Sequence, residues 1–418
     1  MNSKEKLIKA LNHEVSPVPV DFGASAVTGI HCSIVAELRD YFGLEKRPVE
    51  ICDPYQMLGR IEPDLLDALG VDVVSVNSKY SLFGFPMENF KEWKTPWGQL
   101  VLVPEMFKTT QNGDDFYIYP EGDLSASPSG HLPGSGYYFD TIIRQAPIDD
   151  DHLNPLDNLE EYSGITANDL EYYRVVCTKA AKTGKGVIAN FGGTALGDVA
   201  LVPAPGLKNP KGIRDITEWY MSTIMRQDYV HEVFTKQVDI ALENFKKIFK
   251  AVGNTPDAVF ICGTDFGTQT SQFCSVDTFD TLYMPYYKKI NNWIHENTTW
   301  KTFKHSCGAV EPFMSHFIEA GFDIINPVQC SATGMDPQHL KNTYGKELVF
   351  WGAGADTQKT LPFESPDSVA AEVKRRLEIF SENGGYVFNA IHNIQAHTPL
   401  KNIIAMLDTV KTFNSNRI

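Results

Sequence analysis

The run Thr302–His305 continues into His305-Ser306-Cys307-Gly308. A histidine and a cysteine two positions apart at a strand end can aim an imidazole and a thiolate at one point, and these are donors that zinc prefers. Two donors do not complete a site. Three protein donors with one open position make the catalytic arrangement, in which the ion acts as a Lewis acid or lowers the pKa of a bound group. His392, after the last apolar run, is the leading third donor, and Cys330 is the alternative. Without an ion, His305 would hydrogen-bond or protonate a substrate and Cys307 would be a buried thiol.

Such donors need elements to hold them. Eight short apolar runs punctuate the chain: Val18–Phe22, Val71–Val76, Gly186–Phe191, Ala258–Cys262, Thr302–His305, Asp323–Val328, Leu348–Gly352 and Tyr386–Ala390. Most are β-branched or aromatic and end in a polar or glycine-rich turn, as buried parallel strands do. Val71–Val76 is the least regular. Helical patterns lie between them. Asp277–Asn297 opens on Asp277 as N-cap, Glu311–Ala320 stops at Gly321, and Ser365–Ser381 opens Ser-Pro-Asp-Ser. Strand and helix alternating eight times predict an α/β protein, a (β/α)8 TIM barrel, with residues 1–418 as one barrel domain. A doubly wound open sheet is the alternative, disfavoured because no Gly-x-Gly-x-x-Gly turn follows the first run. Residues 93–140 break the rhythm. They read as a small antiparallel insertion with a mobile Gly/Ser/Pro-rich loop from Ser125 to Gly136, serving as a lid near the barrel mouth, a surface excursion or an oligomer contact.

In such a barrel, chemistry sits at the C-terminal strand ends. There the sequence offers Asn190, Asp265, Gln269, His305, Cys307, Gln329, Cys330, Asp356 and His392. Many strand-end Asn and Asp residues merely form turns, but turns do not require His305, Cys307 or His392. Asp265 is the candidate acid, with His305 and His392 as further catalytic groups. Asn190, Gln269, Gln329 and Asp356 are candidate substrate-positioning groups. Tyr80 and Phe83, with Phe85, Tyr117 and Tyr119, predict an apolar substrate pocket.

Composition narrows the partners. Of 418 residues, 43% are hydrophobic and 21% charged, an ordinary globular balance. A net charge of −15 disfavours nucleic acid, which needs clustered Lys and Arg. No run approaches the ~18 apolar residues of a membrane span, and Met-Asn-Ser-Lys-Glu-Lys leads into no signal-peptide core, so a cytoplasmic protein is expected. Seven scattered cysteines argue against a disulfide framework; Cys32, Cys52, Cys177, Cys262 and Cys274 read as reduced thiols, mostly buried.

The strand-end motifs, taken in order, resemble the uroporphyrinogen decarboxylase superfamily. They are His305-Ser306-Cys307-Gly308-Ala309-Val310, the stretch from Ala320 to Gln329, Asp356-Thr357-Gln358, and the stretch from Gly384 to Gln395. The resemblance spans most of the chain, is strongest from Ala258 to Met406, and is greater to the corrinoid-dependent methyltransferases than to the decarboxylases. It implies the barrel and a zinc ion on His305, Cys307 and a distant ligand near the last strand end. His392 stands there in place of the cysteine of those relatives. It also implies methyl transfer from a small methylated substrate, an aryl methyl ether or a methylamine, to a corrinoid (cobalamin-type) cofactor on a partner protein. The reverse sense, zinc activating an acceptor thiol, is also open, as is a homodimer. Decarboxylases carry an arginine motif after Pro-Val that grips porphyrinogen carboxylates. This chain reads Pro19-Val20-Asp21-Phe22-Gly23 there, with no arginine between Met1 and Leu38. A uroporphyrinogen-type decarboxylase and a non-catalytic tetrapyrrole or small-ligand binder are the alternatives.

Overall fold

A computed structural model of the chain describes residues 1–417. Seven parallel strands form its central sheet: β1 (Val73–Val76), β2 (Gly186–Ala189), β3 (Ala258–Cys262), β4 (Lys301–His305), β5 (Ile324–Asn326), β6 (Val349–Trp351) and β7 (Tyr386–Val387). Each pairs with its sequence neighbour, in spatial order β7-β6-β5-β4-β3-β2-β1. The segment Val18–Phe22 bridges the two edges. On one side Phe388 N–H donates to the Pro19 carbonyl (2.8 Å) and Asp21 N–H to the Phe388 carbonyl (2.9 Å). On the other, Asp72 N–H donates to the Val20 carbonyl (2.7 Å). All eight expected runs therefore serve as staves of a TIM-barrel-like fold. The first is not a regular strand because Pro17 and Pro19 bring no N–H to a ladder.

Side chains fill the barrel. Val73, Ile188, Ala258, Phe303, Ile324, Val349, Trp351 and Val387 form one buried cluster, with Phe260 packed against it. Leu7, Ala10 and Leu11 of the N-terminal helix Ser3–Leu11 join the same cluster, and Leu7 packs against Gly186 at the start of β2. That helix closes the N-terminal end of the barrel. An Asn2–Glu5 capping box starts it by satisfying two otherwise orphaned backbone donors.

The outer helices differ from expectation in one place. The pattern over Asp277–Asn297 is two helices, Val276–Leu282 and Met284–Asn297, with Ser275 rather than Asp277 as the N-cap. Pro285, which has no N–H to give, sits in the first turn of the second. Pro366–Phe380 does begin at Ser365. Glu311–Phe313 is a 3-10 turn leading into the helix Met314–Glu319, with Gly321 in the left-handed region just beyond. No helix among the described residues is long and apolar enough to cross a membrane.

Two small sheets stand outside the barrel. Leu58–Gly59, Val49–Asp53, Leu100–Val103 and Lys91–Lys94 form one. Thr109–Asn112, Asp115–Ile118, Gly130–Leu132 and Asp140–Thr141 form an antiparallel second. The stretch from Ser125 to Gly136 thus contains a strand where the composition predicts a loop. Gly130 sits there because a Cβ would lie 2.7 Å from both Ile118 and Phe83. The sheets are joined to the barrel loops by an aromatic cluster. His31 Nε2 bonds the Tyr137 carbonyl (2.9 Å), Trp97 packs on His31 and Tyr137, and Tyr137 meets His397 edge-on at 4.5 Å.

Candidate metal centre at the barrel mouth

Strand alternation decides what β4 presents. Phe303 points into the barrel, so His305 does too, while Thr302 and Lys304 point outward. Past His305 the ladder continues one more step, Ser306 N–H to the Asn326 carbonyl (2.7 Å). The chain then turns. Cys307 N–H donates to Asp265 Oδ1 (2.7 Å), Gly308 N–H to Gln329 Oε1 (2.8 Å), and Ser306 Oγ accepts from Phe266 N–H (2.9 Å). Gly308 has φ of 85°, and a Cβ there would lie 2.5 Å from the Gly267 carbonyl oxygen. Only glycine fits that turn.

These bonds bring Cys307 Sγ to 3.4 Å from His305 Nε2. His392 follows β7, where Ile391 N–H bonds the Ala355 carbonyl (2.9 Å) and Gly354 N–H the Asn389 carbonyl (2.8 Å). Its ring lies 5.4 Å from that of His305. One donor atom from each of His305, Cys307 and His392 falls within 4.8 Å of the others. Donors at ~2.0 Å (N) and ~2.3 Å (S) from one tetrahedral ion are about 3.5 Å apart, so the His305–Cys307 spacing suits a shared ion. His305 Nδ1 bonds Asn326 Oδ1 (2.6 Å), and Asn326 Nδ2 donates to the Trp351 carbonyl (2.9 Å). That chain makes Oδ1 the acceptor, assigns the proton to Nδ1 and leaves the Nε2 lone pair facing Cys307.

Burial keeps the cluster neutral. It holds His305 down to about 4, and burial with the neighbouring His305 holds His392 down to about 3. Burial and then Asp265 push the Cys307 thiol well above its ordinary value, and burial raises Asp265. Two uncharged imidazoles and a buried thiol, whose anion Lys304 favours but burial and Asp265 oppose, make a donor set that a divalent cation would stabilise.

The other expected residues divide. Gln329 Nε2 donates to Gln269 Oε1 (2.7 Å) and Gln269 Nε2 to the Ser331 carbonyl (2.8 Å), so both brace the Cys307 turn from below. Asn190 Oδ1 accepts from Gly192 N–H (3.0 Å), and Asp356 Oδ1 from the Gln358 and Lys359 amides (2.7 and 3.1 Å). These are turn-forming bonds. The Cys330 thiol faces the Val328 carbonyl (3.4 Å) and is not in the donor cluster. Phe83 is fully buried against Tyr55, Phe85 and Phe139 and serves as core beneath the outer sheets. Tyr80 lines a cavity of about 500 Å³ with Tyr162, Tyr172, Tyr173, Phe191 and Phe245; none of the three donors lines it. Tyr117 stacks on His131, and the Tyr119 hydroxyl meets Thr110.

Asp198 went unread in the sequence. It lies in the loop after β2, next to Gly263, where burial raises it to about 6 and Asp265 adds to the effect. Its only local signal was a position some residues past a glycine-rich strand end. The seven cysteines are all free, with Cys32, Cys177 and Cys262 buried and Cys52 and Cys274 partly so.

A curled parallel sheet whose titratable side chains converge at the carboxyl ends of its strands defines a TIM-barrel-like class. Residues 208–413 match the family model described as Uroporphyrinogen decarboxylase (URO-D). Over 76 residues the chain is 42% identical to a uroporphyrinogen decarboxylase of Azoarcus sp. (strain BH72), covering 18% of this chain and 20% of that protein. Over 90 residues it is 30% identical to one from Aromatoleum aromaticum, covering 21% and 24%. The matches thus span about a fifth to a quarter of these curated relatives' length. A methyltransferase from Methanosarcina mazei shares the fold, with a TM-score of 0.55 at 15% identity over 99% of each chain. The likeness to the uroporphyrinogen decarboxylase family is thus carried by residues 208–413, just under half of the chain.

Proposed function

We propose that the protein transfers a methyl group from a small methylated substrate, an aryl methyl ether or a methylamine, to a corrinoid carried by a partner protein. The observation that supports this reading is the convergence of His305, Cys307 and His392 within 4.8 Å at the barrel mouth. These three residues would hold zinc, which when bound supplies Lewis acidity toward a leaving oxygen or nitrogen. The rest is the work of the chain. Asn326 fixes the His305 tautomer. Asp265, with Oδ1 engaged by Cys307 N–H and its carboxyl raised by burial, is the acid candidate toward the leaving group. The filled barrel interior beneath excludes water.

The test pairs metal analysis with turnover. Purified protein is expected to carry about one zinc per chain, lost in Cys307→Ala, a catalytic-type site having three protein ligands. It should release demethylated product only when a corrinoid protein is added. Release without one would sink the reading.

Decarboxylation of a tetrapyrrole is the second reading, favoured by the named relatives. Consumption of uroporphyrinogen by metal-free protein would establish it. Against it stands the arginine-free stretch from Met1 to Leu38.

A further inference from the structure

Lys304 is buried with no exposure on the outward face of β4. Its ammonium donates to the Thr264 carbonyl (2.5 Å) and the His305 carbonyl (2.6 Å). It also lies over the rings of Phe266 (4.9 Å) and Phe317 (5.5 Å), with the buried Cys262 thiol beside it. No carboxylate comes within ion-pair distance of it among the described residues. Burying a cation without an anionic partner is costly, and an apolar side chain would fill the same space at lower free energy. The two carbonyls it holds say what the charge does there.

Thr264 immediately precedes Asp265, and the His305 carbonyl belongs to the peptide that enters the Ser306-Cys307 turn. Asp265 then takes the Cys307 N–H. The contacts close a ring: Lys304 to Thr264, along the chain to Asp265, across to Cys307, back through Ser306 to His305, and again to Lys304. The ring fixes the two peptide planes that link His305 to Cys307. The same ammonium favours the charged forms of Asp198, Asp265 and Cys307.

We infer that Lys304 is a positioning residue for the His305–Cys307–His392 cluster, clamping the ends of β3 and β4 through two backbone carbonyls. The inference rests on reading that cluster as a metal centre, so its test has one arm with metal and one without. The variants are Lys304→Met, which removes charge and donors, and Lys304→Gln, which keeps one donor and supports folding if Met does not. In the first arm cobalt(II) replaces zinc. Its affinity, by chelator competition, is expected to fall by roughly 10–100-fold in Lys304→Met and less in Lys304→Gln, the range for outer-shell groups, with a shifted thiolate-to-cobalt absorption band. In the second arm, hydrogen exchange of metal-free protein should speed up at the amides of Ser306, Cys307 and Gly308. Folded variants with the parent's cobalt affinity, band and exchange overturn the clamp. If the parent itself takes up no cobalt, the metal reading fails. The exchange arm still decides the clamp.

Discussion

At the scale of residues, the centre depends on one amide. Asn326 accepts from His305 Nδ1 and donates to the Trp351 carbonyl, so both its polar atoms are used inside the barrel. Asn326→Leu would strand two buried groups, a loss of about 1–3 kcal/mol each. It should also free His305 to take the other tautomer, with metal affinity falling roughly 10–100-fold. Urea denaturation and zinc competition would measure the two effects separately; unchanged zinc affinity would dismiss the tautomer argument. His305, Cys307 and His392 were legible in the sequence because no turn calls for such residues at a strand end. Asn326 was visible only as part of a motif, since its partner depends on how β4 and β5 align: His305 faces Asn326 in register. Asp198 and Lys304 were not legible. One sits in an irregular loop, and the other occupies an outward strand position that ordinarily reads as solvent-facing polarity.

At the scale of elements, the turn after β4 carries the site. Gly308→Ala puts a Cβ against the Gly267 and Thr268 carbonyls in a left-handed backbone. Strain of this kind costs on the order of 1–3 kcal/mol. Because Cys307 hangs on the same turn, the variant should lose bound metal along with stability. Metal analysis of folded Gly308→Ala protein checks this, and full zinc content would show that the turn tolerates the shift. The strands were readable because buried parallel strands are continuous apolar runs. The eighth stave shows the limit. Val18–Phe22 has the right residues and place, yet Pro17 before it and Pro19 within it leave it joined by a few hydrogen bonds rather than a ladder. Helix breaks were less legible than helix existence, since Pro285 suits a new first turn as well as it disrupts an old helix.

At the scale of the whole molecule, the outer sheets and the barrel meet through His31, which is fully buried. Its Nδ1 accepts from Ser33 N–H (3.2 Å) and its Nε2–H donates to the Tyr137 carbonyl, a neutral ring by construction. Burial lowers it to about 4, with the nearby His397 adding to the effect. Below the ordinary histidine value of about 6.5 the unfolded chain binds a proton that the folded chain refuses, so stability is lost as pH falls from about 6.5 toward 4. Measured against His31→Gln, the parent's unfolding free energy should drop by about 2–3 kcal/mol more between pH 7 and pH 4.5. Equal slopes would show that His31 does not set the acid limit. The outer sheets were legible as an antiparallel excursion in residues 93–140. Their true reach back to Val49 was not, because a strand pairing over some fifty residues leaves no local periodic mark.

The helix Ser3–Leu11 has a consequence for traffic. With Leu7 seated against the first residue of β2 and the interior filled, the barrel is a cup with one rim. Anything small that reacts on the His305 side must come in over that rim and go out over it. On the proposed reading, a partner protein large enough to cover the rim would arrive after the small substrate and depart before the small product.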